Sequence, residues 1–251
     1  MSWLGKVVGG TIGFAIGGPV GAVAGAAFGH MFDGENAGQV TIGKDNNRLS
    51  NGETAQMTFF VASFSILAKL IRSDGKVTEP EIQTVRQFMV DDLHLNPQSR
   101  LAAEHIFRAA MDSNESFENF AVQFYQNFYN QPQLLELMID ILFRVALADG
   151  AMHTAEEQLI QSAANTFKFS NDAYLNFKSR YAPDSDKYYT ILGCSKSDPD
   201  DKIKNQYRKL VRDYHPDTIA SKGLPEEFVT FANDKFREIQ EAYETVKKER
   251  G

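Results

Sequence analysis

Apolar residues follow three different patterns along this chain. In the first, residues 7–32 carry no formally charged side chain and read VVGGTIGFAIGGPVGAVAGAAFGHMF. As a helix this run would extend about 39 Å, whereas the apolar core of a bilayer is about 30 Å thick. The pattern predicts a single transmembrane helix within residues 1–33. A flexible linker follows at residues 34–53, where glycine, asparagine and other polar residues predominate.

Glycine recurs at every fourth position of the apolar run, in the manner of a glycine zipper. The glycines are Gly5, Gly9, Gly13, Gly17, Gly21, Gly25 and Gly29. Small residues at this spacing allow close helix approach in lipid. Because four residues turn a helix by about 400°, only two or three consecutive glycines can face one straight partner. We therefore expect a homodimer in which two helices cross near Gly13, Gly17 and Gly21.

Two other interpretations of the apolar run stay open. It could be a secretory signal peptide, with Lys6 as its positive region and the residues 22–24 (Ala-Val-Ala) as a cleavage site. It could also be a soluble hairpin, rich in glycine and alanine, that turns at Gly18-Pro19.

In the second pattern, from residue 54 to 181, apolar residues recur at helical spacing and prolines lie near the expected helix starts. The periodic segments are 57–71, 82–89, 101–111, 117–129, 134–148 and 159–167. Phenylalanine is abundant here, and its simplest role is to fill a core. This part of the chain is predicted to form a helical bundle.

The predicted bundle contains an internal repeat with a spacing of 75 residues. Residues 67–75 parallel residues 142–150, and each copy ends in Asp-Gly. Glu81 and Glu156 follow the two aspartates after seven residues. The glycines are expected to end helices, and the acidic residues to lie at the start of the next ones.

The acidic residues of the repeat allow two interpretations. The first interpretation is a metal site, because Mg²⁺ and Ca²⁺ prefer oxygen ligands. The ligands would be Asp74 with Glu81 and Asp149 with Glu156. They are better explained by helix ends, because each copy also contains a capping-box pattern. The two predicted boxes are Thr78-x-x-Glu81 and Thr154-x-x-Glu157. We assign no metal ligand and no cofactor to this chain.

In the third pattern, an amphipathic helix precedes His215-Pro216-Asp217. Its apolar face carries Ile203, Tyr207, Leu210 and Tyr214, and its opposite face carries Lys204, Arg208 and Arg212. Pro216 cannot continue this helix, so His215 and Asp217 are expected on a loop. A second amphipathic helix containing KFREIQEAY, at 235–243, can pack against the first. Taken alone, a basic face of this kind is more often an ordinary solvated surface.

With YYTILG at 188–193, these features resemble the J domain of the DnaJ family over residues 186–251. The resemblance implies that the basic helix docks on the ATPase domain of Hsp70 and that the His-Pro-Asp loop triggers ATP hydrolysis. The implied docking residues are Lys204, Tyr207, Arg208 and Lys209, and the implied activating residues are His215, Pro216 and Asp217. Asn205 and Asp213 stand where many family members carry basic residues, which weakens the positive patch.

The remaining segments also resemble known families. The repeat in residues 54–181 is similar to the TerB-like helical fold. WLGK at 3–6 and GHMFD at 29–33, on either side of the apolar run, resemble the membrane-anchored DjlA type of DnaJ-like protein. That resemblance implies a single pass through the bacterial inner membrane, a short periplasmic N-terminus and cytoplasmic C-terminal domains. Charge does not set the orientation of this segment, because Lys6 lies on one side of the apolar run and Lys44 and Arg48 lie on the other.

Composition excludes several other classes of protein. The net charge of -7 over 251 residues argues against a general nucleic-acid binder. The single cysteine, Cys194, excludes an intramolecular disulfide and a cysteine-based zinc site. No nucleophile–base pair or phosphate-binding loop is recognisable, so we do not expect an enzyme.

The sequence thus predicts an all-α protein with a transmembrane helix, a TerB-like bundle and a C-terminal J domain. The expected function is that of a membrane-anchored co-chaperone that binds a DnaK-type Hsp70 and stimulates its ATPase. The alternative is a membrane-bound scaffold, or a stress or metal sensor, that acts through the TerB-like bundle.

Overall fold

The computed structural model describes residues 16–29, 49–73, 75, 77–148, 150, 152–181 and 186–251. Every regular element within these ranges is a helix, which confirms the predicted all-α class. In chain order the helices are α1 (Gly18–Gly29), α2 (Asn51–Ile71), α3 (Glu79–Gln87, continued by a π-helical turn, Phe88–Asp92), α4 (Pro97–Asp112), α5 (Phe117–Phe128), α6 (Pro132–Ala146), α7 (Thr154–Thr166), α8 (Asn171–Ser179), α9 (Lys187–Ile191), α10 (Asp200–Asp213), α11 (Pro216–Ser221) and α12 (Glu226–Arg250). We call α2–α8 the bundle and α9–α12 the C-terminal module.

Helix α2 is the centre of the bundle and packs against α4, α5 and α6. A capping box starts it: the Ser50 side chain accepts from the Glu53 N–H, and the Glu53 carboxylate accepts from the Ser50 N–H at 2.9 Å. Every residue from 57 to 71 is buried. Within the described part of the chain, α2 is the one helix long and apolar enough to cross a membrane. Its burial explains that composition, because a helix that is apolar all round also suits the centre of a protein.

Phenylalanine fills the core of the bundle, as the sequence predicted. The ring of Phe59 on α2 lies 5.3 Å from that of Phe124 and 5.6 Å from that of Phe128, both on α5. Phe167, after α7, packs on Phe124 at 5.5 Å between ring centroids. These tilted and edge-on contacts are the arrangements that aromatic pairs favour.

The internal repeat appears in the structure as two equivalent helix junctions. Gly75 and Gly150 take positive φ angles of 82° and 99°, the left-handed conformation that glycine adopts after a helix. At the first junction the Thr78 N–H donates to the Glu81 carboxylate at 2.7 Å, which confirms the predicted capping box. Asp74 and Asp149 lie outside the described residues.

The second capping box lies one residue earlier than the sequence predicted. The His153 N–H donates to the Glu156 carboxylate at 2.9 Å, so the box runs from His153 to Glu156 and Thr154 is already helical. The prediction of a Thr154–Glu157 box was therefore wrong. The repeat explains the shift, because Glu156 is the counterpart of Glu81 and Glu157 is its neighbour.

Helix α1 is the described part of the predicted transmembrane segment. Its 12 residues form about 18 Å of helix, and it packs against α2, α4 and α5. The side chains buried in this contact are Val20, Val23, Ala24, Ala27 and Phe28. The alternative hairpin would turn where α1 begins, and its other arm lies outside the described residues. Residues 34–48, which make up most of the predicted linker at 34–53, also lie outside them. Helix α1 thus has a packing surface within the protein itself.

The C-terminal module forms around α12, on which α9, α10 and α11 all pack. Arg250, at the end of α12, closes the module. Its guanidinium donates to the Tyr189 hydroxyl at 3.1 Å, to the Asp198 carbonyl at 2.9 Å and to the Asp200 carboxylate at 2.6 Å. These contacts connect the last turn of the longest described helix to α9 and to the start of α10.

Candidate functional site

The basic face of α10 is exposed, as its sequence pattern predicted. Ile203, Leu210 and Tyr214 are buried against the rest of the protein, which turns Lys204, Arg208 and Lys209 outward. We call these three basic residues the docking face. Two acidic residues in the first turn of α10 complement the positive end of its dipole.

Tyr207 lies between α10 and α12 instead of standing out from the docking face. Its ring stacks on that of Tyr243, with ring centroids 3.9 Å apart and an angle of 3° between the ring planes. Burial raises the pKa of the Tyr207 hydroxyl, and the charge of Glu244 raises it further. The stack holds α10 against α12, and the Tyr207 side chain is half-buried.

The His-Pro-Asp segment is more ordered than a loop. His215 lies between two helices, but Pro216 and Asp217 form the first turn of α11. The Ile219 N–H donates to the His215 carbonyl at 3.0 Å, which starts that helix. The expectation of a loop was wrong for Asp217, because a proline that ends one helix is well suited to begin the next.

His215 and Asp217 are held by local contacts and remain accessible. The imidazole of His215 packs edge-on against the ring of Phe236, with centroids 5.7 Å apart. The Asp217 N–H donates to His215 Nδ1 at 3.3 Å. The Asp217 side chain is 94% exposed and the His215 side chain 48% exposed. The segment thus presents a carboxylate and an imidazole at the start of α11.

Tyr214, next to His215, connects this segment to the bundle. Its buried hydroxyl donates a hydrogen bond to the carboxylate of Glu136 on α6. Burial raises the pKa of Glu136, although the Tyr214 hydrogen bond and the charge of Arg180 act in the opposite direction. The sequence analysis missed Glu136. The available signal was an acidic residue within the apolar run LLELMIDIL at 134–142.

Asp140, the second acidic residue of that run, forms a buried ion pair with Lys235 of α12. Lys235 Nζ lies 2.8 Å from Asp140 Oδ2, and the two side chains are 8% and 2% exposed. The Tyr181 hydroxyl donates to the same carboxylate at 3.0 Å. Burial would raise the pKa of Asp140, but the charges of Lys235 and Arg180 outweigh it and lower the pKa.

Aromatic residues at the start of α12 complete the contact between module and bundle. The ring of Phe228 lies 5.0 Å from that of Phe59, and 6.1 Å from those of Phe60 and Phe64. Phe231 packs against Phe88 at 5.9 Å and lies under the guanidinium of Arg144. The back of the module thus shares a core with the bundle, whereas the docking face and the His-Pro-Asp segment face outward.

The predicted dimerisation glycines are only partly described. Gly13 lies outside the described residues. Gly17 is exposed, and a Cβ atom added there would meet nothing within 4 Å. Gly21 is buried, and a Cβ atom added there would lie 1.8 Å from the Ile16 carbonyl oxygen. In this structure Gly17 and Gly21 therefore do not form one open contact face.

The described residues contain no group of three or more His, Cys, Asp or Glu side chains placed to hold a metal ion. Cys194 is a free thiol, and burial raises its pKa.

Three family models match this chain in consecutive segments. Residues 1–47 match the co-chaperone DjlA transmembrane domain, residues 60–178 match the tellurite resistance protein TerB, and residues 187–250 match the DnaJ domain. These matches confirm the three resemblances that the sequence indicated.

Curated relatives match over nearly the whole chain. A protein of Photobacterium profundum named co-chaperone protein DjlA is 31% identical over 98% of this chain and 99% of its own length. Proteins with the same name from Salmonella typhimurium and Escherichia coli K12 are 29% and 28% identical, and each alignment covers 89% of this chain. No solved structure matches it.

Proposed function

This chain belongs to the DjlA family of co-chaperones, and from that premise we propose that it binds a DnaK-type Hsp70 and stimulates its ATPase through His215, Pro216 and Asp217. The observation that carries the proposal is the orientation of the C-terminal module. Its back is buried against the bundle, and the exposed carboxylate of Asp217 projects from the outward side.

The docking face would supply the electrostatic part of binding. Lys204, Arg208 and Lys209 are exposed on α10, where they can attract an acidic surface on the Hsp70 ATPase domain. Charges of this kind mainly raise the association rate and set the orientation of the partner. Tyr207 would act indirectly, by holding α10 in place through its stack on Tyr243.

The His-Pro-Asp segment would act as a preorganised contact. Proline fixes one backbone angle, Phe236 supports the ring of His215, and a backbone hydrogen bond joins Asp217 to that ring. A segment that is already ordered loses less conformational entropy on binding. The bond-breaking chemistry would take place in the ATPase site of the partner, so the chain would act as a regulator and not as an enzyme.

The match of residues 1–47 to a transmembrane domain supports a membrane-anchored protein. We propose that residues 1–33 cross the bacterial inner membrane once, with a short periplasmic N-terminus and with the bundle and C-terminal module in the cytoplasm. The proposal includes a homodimer through Gly13, Gly17 and Gly21, and it includes no nucleic-acid partner.

Single-turnover ATP hydrolysis by a DnaK-type protein tests this function. The full chain in lipid nanodiscs should accelerate hydrolysis, and His215→Gln should abolish the acceleration without unfolding the protein. His94→Asn is a matched control, because His94 is exposed, has a positive φ angle that asparagine tolerates, and lies on the bundle. Full stimulation by a folded His215→Gln protein would disprove the proposal.

A further inference from the structure

Tyr214 joins the docking face to the His-Pro-Asp segment. Its N–H donates to the Leu210 carbonyl at 2.9 Å, which completes the last turn of α10. His215 follows directly, and its carbonyl accepts from the Ile219 N–H to start α11. The docking face therefore lies on the helix that Tyr214 ends, and the His-Pro-Asp segment begins at the next residue. A displacement of Tyr214 would change the position of one relative to the other.

The side chain of Tyr214 points from the module into the bundle. It is buried, and its hydroxyl donates to the carboxylate of Glu136 on α6. Burial raises the pKa of Glu136, whereas the hydrogen bond from Tyr214 and the charges of Arg180 and Lys209 lower it. Hydrogen bonds to an ionised carboxylate are about twice as strong as those between neutral groups. The bundle thus holds Tyr214 by a specific polar contact.

Other contacts between the module and the bundle hold α12. Lys235 pairs with Asp140, and the ring of Phe228 lies in the phenylalanine core of the bundle. These contacts fix the helix that forms the back of the module. The hydrogen bond of Tyr214 acts instead on the residue next to His215, so it bears directly on the position of the His-Pro-Asp segment.

The contacts of His215 within the module are weaker than this buried hydrogen bond. The imidazole packs edge-on against Phe236, with centroids 5.7 Å apart, and its side chain is nearly half exposed. The Asp217 N–H donates to His215 Nδ1 at 3.3 Å, which is longer than the usual N–H hydrogen bond of about 3 Å. The anchored Tyr214 therefore adds a firm restraint at the residue from which the segment begins.

We propose that Glu136 of the bundle is a positioning residue for the activation of Hsp70. By holding Tyr214, it sets the orientation of the His-Pro-Asp segment relative to the docking face. A displacement of about 1 Å in a positioned group can reduce a reaction rate about 100-fold, so this restraint matters for the acceleration reached at saturation. The inference rests on the proposed Hsp70 activation and makes the bundle part of the activating unit.

Two substitutions at Glu136 separate the effect of the hydrogen bond from that of the charge. Glu136→Gln keeps an oxygen that can accept from the Tyr214 hydroxyl, whereas Glu136→Leu does not. Both variants remove the negative charge, so a change in the attraction between the docking face and Hsp70 is common to both. A difference between the two variants therefore reports the hydrogen bond.

Single-turnover ATP hydrolysis by a DnaK-type protein measures this difference, with the full chain in lipid nanodiscs titrated to saturation. Glu136→Leu should lower the maximal acceleration about tenfold or more, and Glu136→Gln should stay within about twofold of wild type. The concentration that gives half of the maximal effect should agree within about twofold between the two variants, because the docking face is the same in both.

A buried substitution away from the module controls for lost stability. Ile160→Val removes a buried methylene group from α7, which packs on α2, α5 and α6. Its maximal acceleration should equal that of wild type while circular dichroism shows a folded protein. If Ile160→Val lowers the acceleration as much as Glu136→Leu does, the effect is one of stability, and the proposal is wrong.

The environment of His215 can also be observed without Hsp70. NMR of the full chain in detergent, with labelled histidines, reports the imidazole resonances, and His215→Gln assigns the one that belongs to His215. Glu136→Leu should shift this resonance, because the ring moves relative to Phe236, and Glu136→Gln should leave it near its wild-type position. An unshifted resonance in the folded Glu136→Leu protein, or equal acceleration by the two variants, would overturn the proposal.

The NMR measurement separates this proposal from the proposed function. A wild-type chain that gives no acceleration of ATP hydrolysis would count against Hsp70 activation. A His215 resonance that shifts in Glu136→Leu, and not in Glu136→Gln, would still show that Glu136 positions the segment.

Discussion

The hydroxyl of Tyr214 donates a hydrogen bond to the carboxylate of Glu136, which connects the residue preceding His215 to the middle of the bundle. The two residues are 78 positions apart in the sequence. The bond places the proposed activating segment in a defined position relative to α6. The bundle therefore supports the C-terminal module directly, beyond the covalent link between them.

Tyr214→Phe should destabilise the protein by about 1–3 kcal/mol, because it leaves the Glu136 carboxylate buried without its hydrogen-bond donor. Urea unfolding at neutral pH measures the loss. Tyr129→Phe is the matched control, because it removes a tyrosine hydroxyl from an exposed side chain of the bundle. If Tyr214→Phe is as stable as this control, the hydrogen bond to Glu136 contributes nothing to the fold.

Asp140→Asn should destabilise the protein at neutral pH by about 3–5 kcal/mol, because Lys235 would stay buried without its partner. Folding lowers the pKa of Asp140 below its ordinary value of 3.8, so the ion pair contributes fully above that value and is lost as the pH falls below it. The difference in unfolding free energy between the two proteins should therefore shrink below about pH 4.

Urea unfolding at a series of pH values measures this difference. Asp172→Asn, at an exposed position in the first turn of α8, serves as the control and should show only a small change. A difference between wild type and Asp140→Asn that stays constant down to pH 3 would mean that Asp140 is not the titrating group.

Arg208→Glu should weaken Hsp70 binding several-fold at about 50 mM salt and much less at about 500 mM salt, because screening reduces the interactions of exposed charges. Surface plasmon resonance at both concentrations measures the effect. Lys248→Glu is the control variant, because it makes the same charge change at an exposed position near the end of α12. Equal losses for Arg208→Glu at both salt concentrations would show that the docking face does not act electrostatically.

Gly17→Ile should reduce self-association of the membrane segment, because a bulky side chain keeps crossing helices apart. Gly17 is the cleaner site for this test, since an added Cβ atom there meets nothing, whereas one at Gly21 collides with the Ile16 carbonyl. Ala15→Ile is the control, because in the proposed transmembrane helix Ala15 would lie about 160° from Gly17. Energy transfer between labelled chains in bilayers reports association, and equal values for all variants would count against the dimer.

The sequence was sufficient to predict features that depend on nearby residues. The apolar face of α10 was predicted correctly because Ile203, Leu210 and Tyr214 follow helical spacing, and burial against the rest of the protein uses that same face. The first capping box was also predicted, because Thr78 and Glu81 are three residues apart. Such features need only local geometry.

Features that depend on distant residues could not be predicted in this way. Lys235 lies in a charged stretch, KFRE at 235–238, and nothing local shows that its partner is Asp140, far away in the sequence. The docking of α1 was missed for a related reason, because a run of glycine, alanine and valine suits lipid and a protein groove equally well. The contact that identifies the environment of α1 in this structure comes from a different helix, where Gln123 accepts a hydrogen bond from the Val20 N–H.

Phe228 belongs by sequence to the C-terminal module, but its ring completes the phenylalanine core of the bundle. A break in the chain between residues 181 and 186 would therefore leave two fragments, each with an exposed aromatic surface that matches the other. We expect such fragments to reassemble when mixed, as in fragment complementation. For the same reason, a chimera that carries the C-terminal module of another co-chaperone would need a large apolar residue at position 228 to keep the host bundle folded.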